Sequence, residues 1–121
     1  DVPVWLALAA NGLVFLGYMI TVAVLRENRY ASRVVEVDEQ QQVIDSGPYA
    51  LVRHPMYVGV LLMYLASPLA LGSYWAVIPA LAIIPILVAR TINEEQVLTR
   101  ELAGYREYTQ KVRWRLIPYV W

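Results

Sequence analysis

Two long apolar stretches alternate with two charged stretches along the chain. Residues 2–25 contain no charged side chain, and neither do residues 55–89. A bilayer core requires about 20 helical residues, so the first stretch predicts one membrane-spanning helix. The second is too long for one span, and Pro68 and Gly72 near its middle favour a turn. The pattern therefore predicts a tight helical hairpin over residues 55–90.

The two charged stretches are predicted to lie outside the bilayer. Residues 26–54 form a polar connector between the first span and the hairpin. In the tail, residues 91–121, apolar side chains recur every three or four positions, which indicates an amphipathic helix. Gly104 is expected to end or bend this helix, and Pro118 to stop whatever follows. The predicted fold class is an all-α integral membrane protein, a single domain over residues 1–121 with about three transmembrane helices.

Composition and charge support this class and predict an orientation. Of the 121 residues, 59% are hydrophobic, and none is cysteine, which excludes disulfides, thiolate metal sites and a cysteine nucleophile. All ten lysines and arginines follow the first span or the hairpin. With three spans, both basic segments lie on the same side of the membrane, and the positive-inside rule predicts that this side is cytoplasmic. We predict a multi-pass membrane protein with its connector and tail in the cytoplasm, and we predict neither a metal site nor a nucleic-acid partner.

The first candidate site is the junction "GPYALVRHPMYVG", which contains the only histidine. Proline is favoured at the first position of a helix, so Pro55 is expected to start the hairpin with His54 near the N-cap. Unpaired N–H groups of the first turn, together with Arg53, would form an anion site. Tyr57 would share a face with His54, and Gly59 would allow a ligand or a neighbouring helix to approach closely. The same residues also fit a charged collar at a membrane surface with no further role.

The second candidate site is "ARTINEE" at the end of the hairpin. Arg90 and Glu94 are four residues apart and could form a simple ion pair on a helix surface. At membrane depth, however, an arginine beside Glu94 and Glu95 is energetically costly, which favours a functional role. The predicted topology brings this cluster to the same interface as His54. The basic tail residues, including Arg115, are interpreted as contacts to anionic headgroups.

An anion site, a carboxylate pair and apolar helices together suit S-adenosylmethionine. Its carboxylate would bind at the helix start and His54, its amino group or ribose hydroxyls at Glu94, and its sulfonium and adenine against aromatic or apolar walls. The soluble alternative, a glycine-rich G-x-G-x-x-G loop in a doubly wound sheet, is absent from the sequence.

These segments also resemble a known family. "GPYALVRHPMYVG", an apolar hairpin and "EEQVLTRELAGYREYTQKVRWRLIP" are similar to the catalytic core of the isoprenylcysteine carboxyl methyltransferase and phospholipid methyltransferase superfamily of integral membrane enzymes, over about residues 47–118. The resemblance implies methyl transfer from S-adenosylmethionine, with S-adenosylhomocysteine as product, to a lipid or lipidated small molecule or peptide. Arg90 matches the position that engages the acceptor's carboxylate, and Tyr105 and Tyr108 fall in a tail helix that closes over the site.

The resemblance also implies a set of site residues and leaves three functions open. An isoprenylcysteine-like carboxylate is the favoured acceptor, and it would need no general base. The alternatives are a phospholipid amine, with Glu94 or Glu95 as base, and a non-catalytic membrane subunit. Arg90 and Glu94 are the predicted catalytic residues, and Arg90 would bind the acceptor. The predicted cofactor-binding residues are Gly47, His54, Pro55, Met56, Tyr57, Gly59, Leu62, Ser67, Pro68, Leu69, Ala70, Glu94 and Glu95.

Overall fold

The computed structural model describes residues 2–28 and 43–121, and its regular elements over that part are all helical. The predicted all-α class is therefore confirmed for the described residues. Most of the predicted connector, residues 29–42, lies outside them. The elements are α1 (Val4–Glu27), a 3-10 helix (Gly47–Ala50), α2 (Pro55–Ala70), α3 (Val77–Ala80), α4 (Ile83–Glu101) and α5 (Tyr105–Lys111).

Within residues 2–28 and 43–121, two segments are long and apolar enough to cross a membrane. One is α1, and the other is Val77–Glu101, in which α3 and α4 follow each other with only a short break. The intervening helix α2 has 16 residues, fewer than the roughly 20 that a bilayer core requires. Two of the three predicted spans thus meet the length criterion, and the third stays a prediction.

The predicted hairpin turn follows directly after α2. Gly72 has a positive φ of 85°, a conformation that glycine adopts without strain from a Cβ atom. Its N–H donates to the carbonyl of Leu69, and the N–H of Ser73 donates to the carbonyl of Pro68. These two bonds form a Schellman motif, which satisfies carbonyls that the helix end would otherwise leave unpaired. The chain then re-enters helix at Val77.

Helices α1 and α2 cross closely at a pair of glycines. A methyl group added at Gly59 would lie 2.7 Å from the carbonyl oxygen of Gly17 and 2.6 Å from Thr21 Oγ1. The reverse substitution at Gly17 would meet the carbonyl oxygen of Gly59, also at 2.7 Å. Only glycine permits such backbone contact, so these two positions fix where the helices meet.

A small core lies at the end of the bundle where α1 finishes and α2 begins. Gly104, with a φ of 87°, separates α4 from α5 as predicted and turns the tail back against this end. The tail then binds the chain before α2, because the N–H groups of Arg53 and His54 donate to the carbonyls of Trp114 and Arg115. The buried core residues are Val24, Tyr49, Leu102, Tyr105, Tyr108 and Val112.

Candidate functional site

The site begins at the first turn of α2, which starts as the sequence predicts. Pro55 occupies the first helical position and His54 is the N-cap residue. The rings of His54 and Tyr57 stack with their centroids 5.7 Å apart and their planes 8° from parallel. One part of the prediction is corrected, because the N–H of Tyr57 is not free: it donates to the carbonyl of His54 at 3.1 Å.

Helix α4 supplies the opposite wall through two adjacent stripes of side chains. Thr91 and Glu95, four residues apart, form the buried stripe, whereas Arg90 and Glu94 form a more exposed one. Residues at this spacing lie on one helix face, so the sequence "ARTINEE" presents two polar stripes side by side. Because both stripes reach α2, the two clusters predicted from the sequence do meet.

The buried stripe places Glu95 at the centre of an ionic cluster. Glu95 is only 9% exposed, and its Oε2 lies 2.7 Å from His54 Nε2 and 3.3 Å from Arg53 Nε. Its other oxygen, Oε1, accepts a hydrogen bond of 2.9 Å from Arg115 Nε. A buried carboxylate is tolerated only with such partners. Glu95 therefore joins α4, the start of α2 and the tail.

The more exposed stripe forms a second cluster around the hydroxyl of Tyr57. This hydroxyl donates to Glu94 Oε2 at 2.5 Å and accepts a hydrogen bond of 2.8 Å from Arg90 Nε. A single phenol thus bridges a cation and an anion. The two predicted catalytic residues are held by the same Tyr57, next to the His54 ring on which it stacks.

Three buried polar atoms near these clusters lack a hydrogen-bond partner within the described residues. They are Arg53 Nε, Thr91 Oγ1 and Tyr105 OH, and Thr91 is fully buried. Arg53 Nε lies within ion-pair distance of Glu95, but its N–H is not aimed at the carboxylate for a hydrogen bond. Buried polar groups are normally paired, so a polar ligand or water molecules would satisfy these atoms.

The tail helix α5 packs two buried tyrosines, Tyr105 and Tyr108, into the core, and its closing over a bound cofactor stays a prediction. Tyr108 OH donates to the carbonyl of Tyr49 at 2.6 Å. Burial raises the pKa of Tyr49 to about 12, and burial also raises the pKa values of Tyr105 and Tyr108 above the usual range of a phenol. These phenols therefore stay neutral and act as hydrogen-bonding groups.

Some predicted cofactor-binding residues of α2 face other parts of the fold. The sequence predicted that Gly59 allows either a ligand or a neighbouring helix to approach closely. In the structure, helix α1 lies against Gly59. Leu62 packs on the same helix, since a methyl group added at Gly17 would lie 3.1 Å from Leu62 Cβ. Met56 packs against the tyrosine-rich core. The positions of these three residues are explained by packing.

Other predicted residues lie at a distance from the two clusters. The stretch of residues 67–70 is at the far end of α2, about 20 Å from His54 at 1.5 Å per helical residue. There the Ser67 hydroxyl donates to the carbonyl of Met63, and the carbonyl of Ala70 accepts from Asn11. Gly47, with a φ of 59°, lies against Glu27 at the end of α1. The structure does not bring residues 67–70 or Gly47 to the clusters.

Arg115 is a site residue that sequence reasoning interpreted differently. In the described structure its side chain binds Glu95, which replaces the headgroup contact predicted for it. Its guanidinium also lies over the ring of Trp121, 4.9 Å from the ring centroid. The sequence signal for this contact is the run "RWRLIP", which contains two arginines. Arg113 is exposed and Arg115 faces Glu95, but the sequence alone does not show which of the two faces inward.

Two comparisons with known proteins bear on this geometry. A family model described as phospholipid methyltransferase matches residues 5–104, which include both halves of the site but not Arg115. Among curated proteins, the Delta(14)-sterol reductase TM7SF2 of Mus musculus is 36% identical over 86 residues. That alignment covers 67% of this chain and 20% of the reductase, so the chain spans about one fifth of that relative's length.

Proposed function

We propose that this chain, which belongs to the phospholipid methyltransferase family, moves a methyl group from S-adenosylmethionine to an amphiphilic acceptor. The observation that carries the proposal is the meeting of the His54–Tyr57 turn with the Arg90–Glu94–Glu95 segment. We further propose three membrane spans, with the connector and tail on the cytoplasmic face, where the basic residues gather.

The residues at the site fit the chemical groups of S-adenosylmethionine. When bound, the cofactor supplies a methyl group activated by a positively charged sulfur. Glu94, which is held by the Tyr57 hydroxyl, suits an amino group or ribose hydroxyls. The N–H of Arg53 and the hydroxyl of Tyr105, which lack a hydrogen-bond partner within the described part of the chain, could donate to oxygen atoms, and the Tyr57 ring offers an aromatic face. The chain's own contribution is to align donor and acceptor and to exclude water, which can supply about 7–11 kcal/mol of a barrier.

Arg90 supports a carboxylate acceptor of the isoprenylcysteine type. Its side chain is exposed, and among the described residues only its Nε donates a hydrogen bond, to Tyr57. The outer nitrogens of the guanidinium form a planar fork that matches a carboxylate. A carboxylate is already nucleophilic, so Arg90 would need only to orient it, without a general base.

A phospholipid amine is the second candidate acceptor, and the description of the matching family favours it. An ammonium group must lose a proton before it can attack a methyl group, so this reaction needs a base. Glu94 is the carboxylate at the more exposed cluster and is the candidate for that role. The name of the mouse relative raises sterol reduction as a further outcome to be tested.

The acceptor is tested by turnover of the purified protein in lipid nanodiscs with methyl-labelled S-adenosylmethionine. Prenylcysteine analogues and phosphatidylethanolamine are offered separately, and the labelled product is identified as ester or methylamine. We expect ester formation that is lost in Arg90→Ala and retained in Arg100→Ala, an exposed arginine on the same helix. Label found only on amines would refute the carboxylate acceptor, and the absence of both products would refute methyl transfer to either class.

A further inference from the structure

The tail after α5 forms a closed turn over residues 116–121, which we call the tail loop. The backbone N–H groups of Arg115 and Leu116 both donate to the carbonyl of Trp121. Within the loop, the N–H groups of Val120 and Trp121 donate to the carbonyl of Ile117 at 3.0 and 3.1 Å. The side chain of Leu116 is buried and attaches the loop to the rest of the protein. The loop therefore has a defined conformation, which determines the side chains that it exposes.

The tail loop directs three large side chains away from the protein. Tyr119 is 86% exposed, Val120 is 71% exposed and Ile117 is 50% exposed. We call these three residues the tip. Tyr119 has a positive φ of 65°, which is unfavourable for a residue with a Cβ atom and is kept only where the surrounding structure imposes it. A cluster of exposed apolar side chains on a closed turn marks a surface that contacts something other than water.

Backbone hydrogen bonds fix the depth of the tail loop relative to the apolar part of the chain. The carbonyls of Trp114 and Arg115 accept the N–H groups of Arg53 and His54 at 2.8 and 2.9 Å. The next residue, Pro55, begins the stretch of residues 55–89, which contains no charged side chain. The loop therefore starts at the level where the chain passes from charged to apolar sequence.

The other end of the uncharged stretch returns to the same level. Arg90 follows this stretch directly, and its Nε donates to the hydroxyl of Tyr57, in the first turn of α2, at 2.8 Å. Both ends of the stretch thus meet, as expected for a hairpin that enters and leaves a membrane through one surface. In the proposed three-span topology this level is the cytoplasmic interface of the membrane, and the tail loop lies at it.

The residues beside the tip match the chemistry of a lipid headgroup region. Tyrosine and tryptophan are enriched at membrane interfaces, and here the rings of Trp114 and Tyr119 lie 5.4 Å apart. Arg113 is exposed, with its guanidinium 6.0 Å from the centroid of the Trp114 ring. A cation beside an apolar tip suits an anionic lipid, whose phosphate faces the arginine and whose glycerol and upper acyl groups face the tip. At this depth the surface favours a lipid over a soluble protein partner.

We propose that the tail loop is a lipid-binding surface, which inserts its tip among the headgroups of the membrane that the chain itself crosses, with Arg113 against an anionic headgroup. The sequence assigned headgroup contacts to all the basic tail residues. The structure narrows that role, because Arg115 turns into the site and Lys111 pairs with Asp45 at 3.0 Å. The proposal rests on the proposed topology and does not depend on methyl transfer.

The absence of cysteine from the chain allows single spin labels to test the depth of the loop. Val120→Cys and Ile117→Cys are labelled with a nitroxide in liposomes of phosphatidylcholine and phosphatidylglycerol. Power saturation then compares collisions with oxygen, which partitions into lipid, and with a nickel chelate, which stays in water. The control is Glu101→Cys, an exposed position about 16 Å beyond Arg90 along α4. We expect an oxygen-to-nickel ratio several-fold higher at both loop positions than at the control.

Three results of this experiment would overturn the proposal. A ratio at both loop positions equal to that of the Glu101 label would show that the tip lies in water. Spin–spin broadening with low access to both reagents would show that a second copy of the chain covers the tip. A lipid-like ratio at Glu101 would refute the proposed topology and the depth of the loop with it. No cofactor or acceptor is present, so failure here is distinct from failure of the methyltransferase function.

The contribution of Arg113 is tested by changing the lipid charge. In the Val120-labelled protein, the oxygen-to-nickel ratio should fall when phosphatidylglycerol is replaced by phosphatidylcholine. This dependence should be lost in Arg113→Gln and retained in Arg106→Gln, an exposed arginine of α5. Equal ratios in the two lipid mixtures, or the same dependence in both variants, would refute the contact of Arg113 with an anionic headgroup.

Discussion

The adjacent carboxylates Glu94 and Glu95 should differ sharply when each is replaced by glutamine. Glu95 is the shared partner of Arg53, His54 and Arg115, with 11% of its side chain exposed. Removing one member of a buried ionic cluster leaves its partners uncompensated and costs about 3–5 kcal/mol. Because a third of the Arg115 side chain is in contact with solvent, we expect Glu95→Gln to fall at the lower end of that range.

Glu94→Gln is the matched control for this prediction. Glu94 accepts one hydrogen bond, from the Tyr57 hydroxyl, and it is only partly buried. The amide oxygen of glutamine can still accept from Tyr57, so the exchange weakens at most one hydrogen bond, which is worth about 0.5–1.5 kcal/mol of stability. The assay is denaturant unfolding in mixed micelles, followed by tryptophan fluorescence, because Trp114 and Trp121 lie in the tail that Glu95 anchors.

The comparison of the two free energies of unfolding decides whether Glu95 is the anchor. We expect Glu95→Gln to be destabilised by about 1.5–2.5 kcal/mol relative to Glu94→Gln, which is the lower end of the first range less the second range. Conversely, the free energy of S-adenosylhomocysteine binding should fall more in Glu94→Gln than its free energy of unfolding does. Equal stability of the two variants would refute the assignment of Glu95 as the anchor of the tail.

Three further predictions concern packing and the buried tyrosines. Gly59→Ala places a methyl group 2.6 Å from an α1 side chain, so it should cost about 1–3 kcal/mol in the same unfolding assay, whereas Gly12→Ala, with nothing within 4 Å, should not destabilise. Tyr108→Phe removes the donor to the Tyr49 carbonyl and should cost about 1–3 kcal/mol, unlike Tyr119→Phe at an exposed position. Burial raises the pKa of Tyr49 to about 12, so the contribution of this phenol to stability is complete below pH 10 and is lost as the pH rises towards 12. In a pH series of melting temperatures, Tyr49→Phe should therefore lose less stability between pH 10 and pH 12 than the unmodified protein.

The start of α2 and the turn after it could be predicted from the sequence because local residues determine them. Proline is favoured at the first helical position, so Pro55 begins α2 and His54 becomes the N-cap residue. Gly72 and Gly104 both adopt positive φ at the breaks predicted for them. In each case the preference of one residue for a backbone conformation is sufficient, and no distant contact is needed.

The hydrogen bonds and ion pairs of the site could not be predicted, because they join segments that are distant in the sequence. Arg115 and Glu95 are 20 residues apart, and a surface arginine and an inward one look alike in sequence. Periodicity placed Glu94 and Glu95 at the site but did not show which of them faces the core. Similarly, Gly59 is explained by the approach of Gly17, a residue that no motif around His54 points to.

The central claim is that the turn at His54 and the Arg90–Glu95 segment form one cofactor site. It is tested most directly by isothermal titration calorimetry of the detergent-solubilised chain with S-adenosylhomocysteine. We expect saturable binding by the unmodified protein and by Arg90→Ala, and loss of binding in His54→Ala and Glu94→Ala proteins that remain folded. Absence of binding by the folded, unmodified chain would contradict the account, as would equal binding by all four proteins.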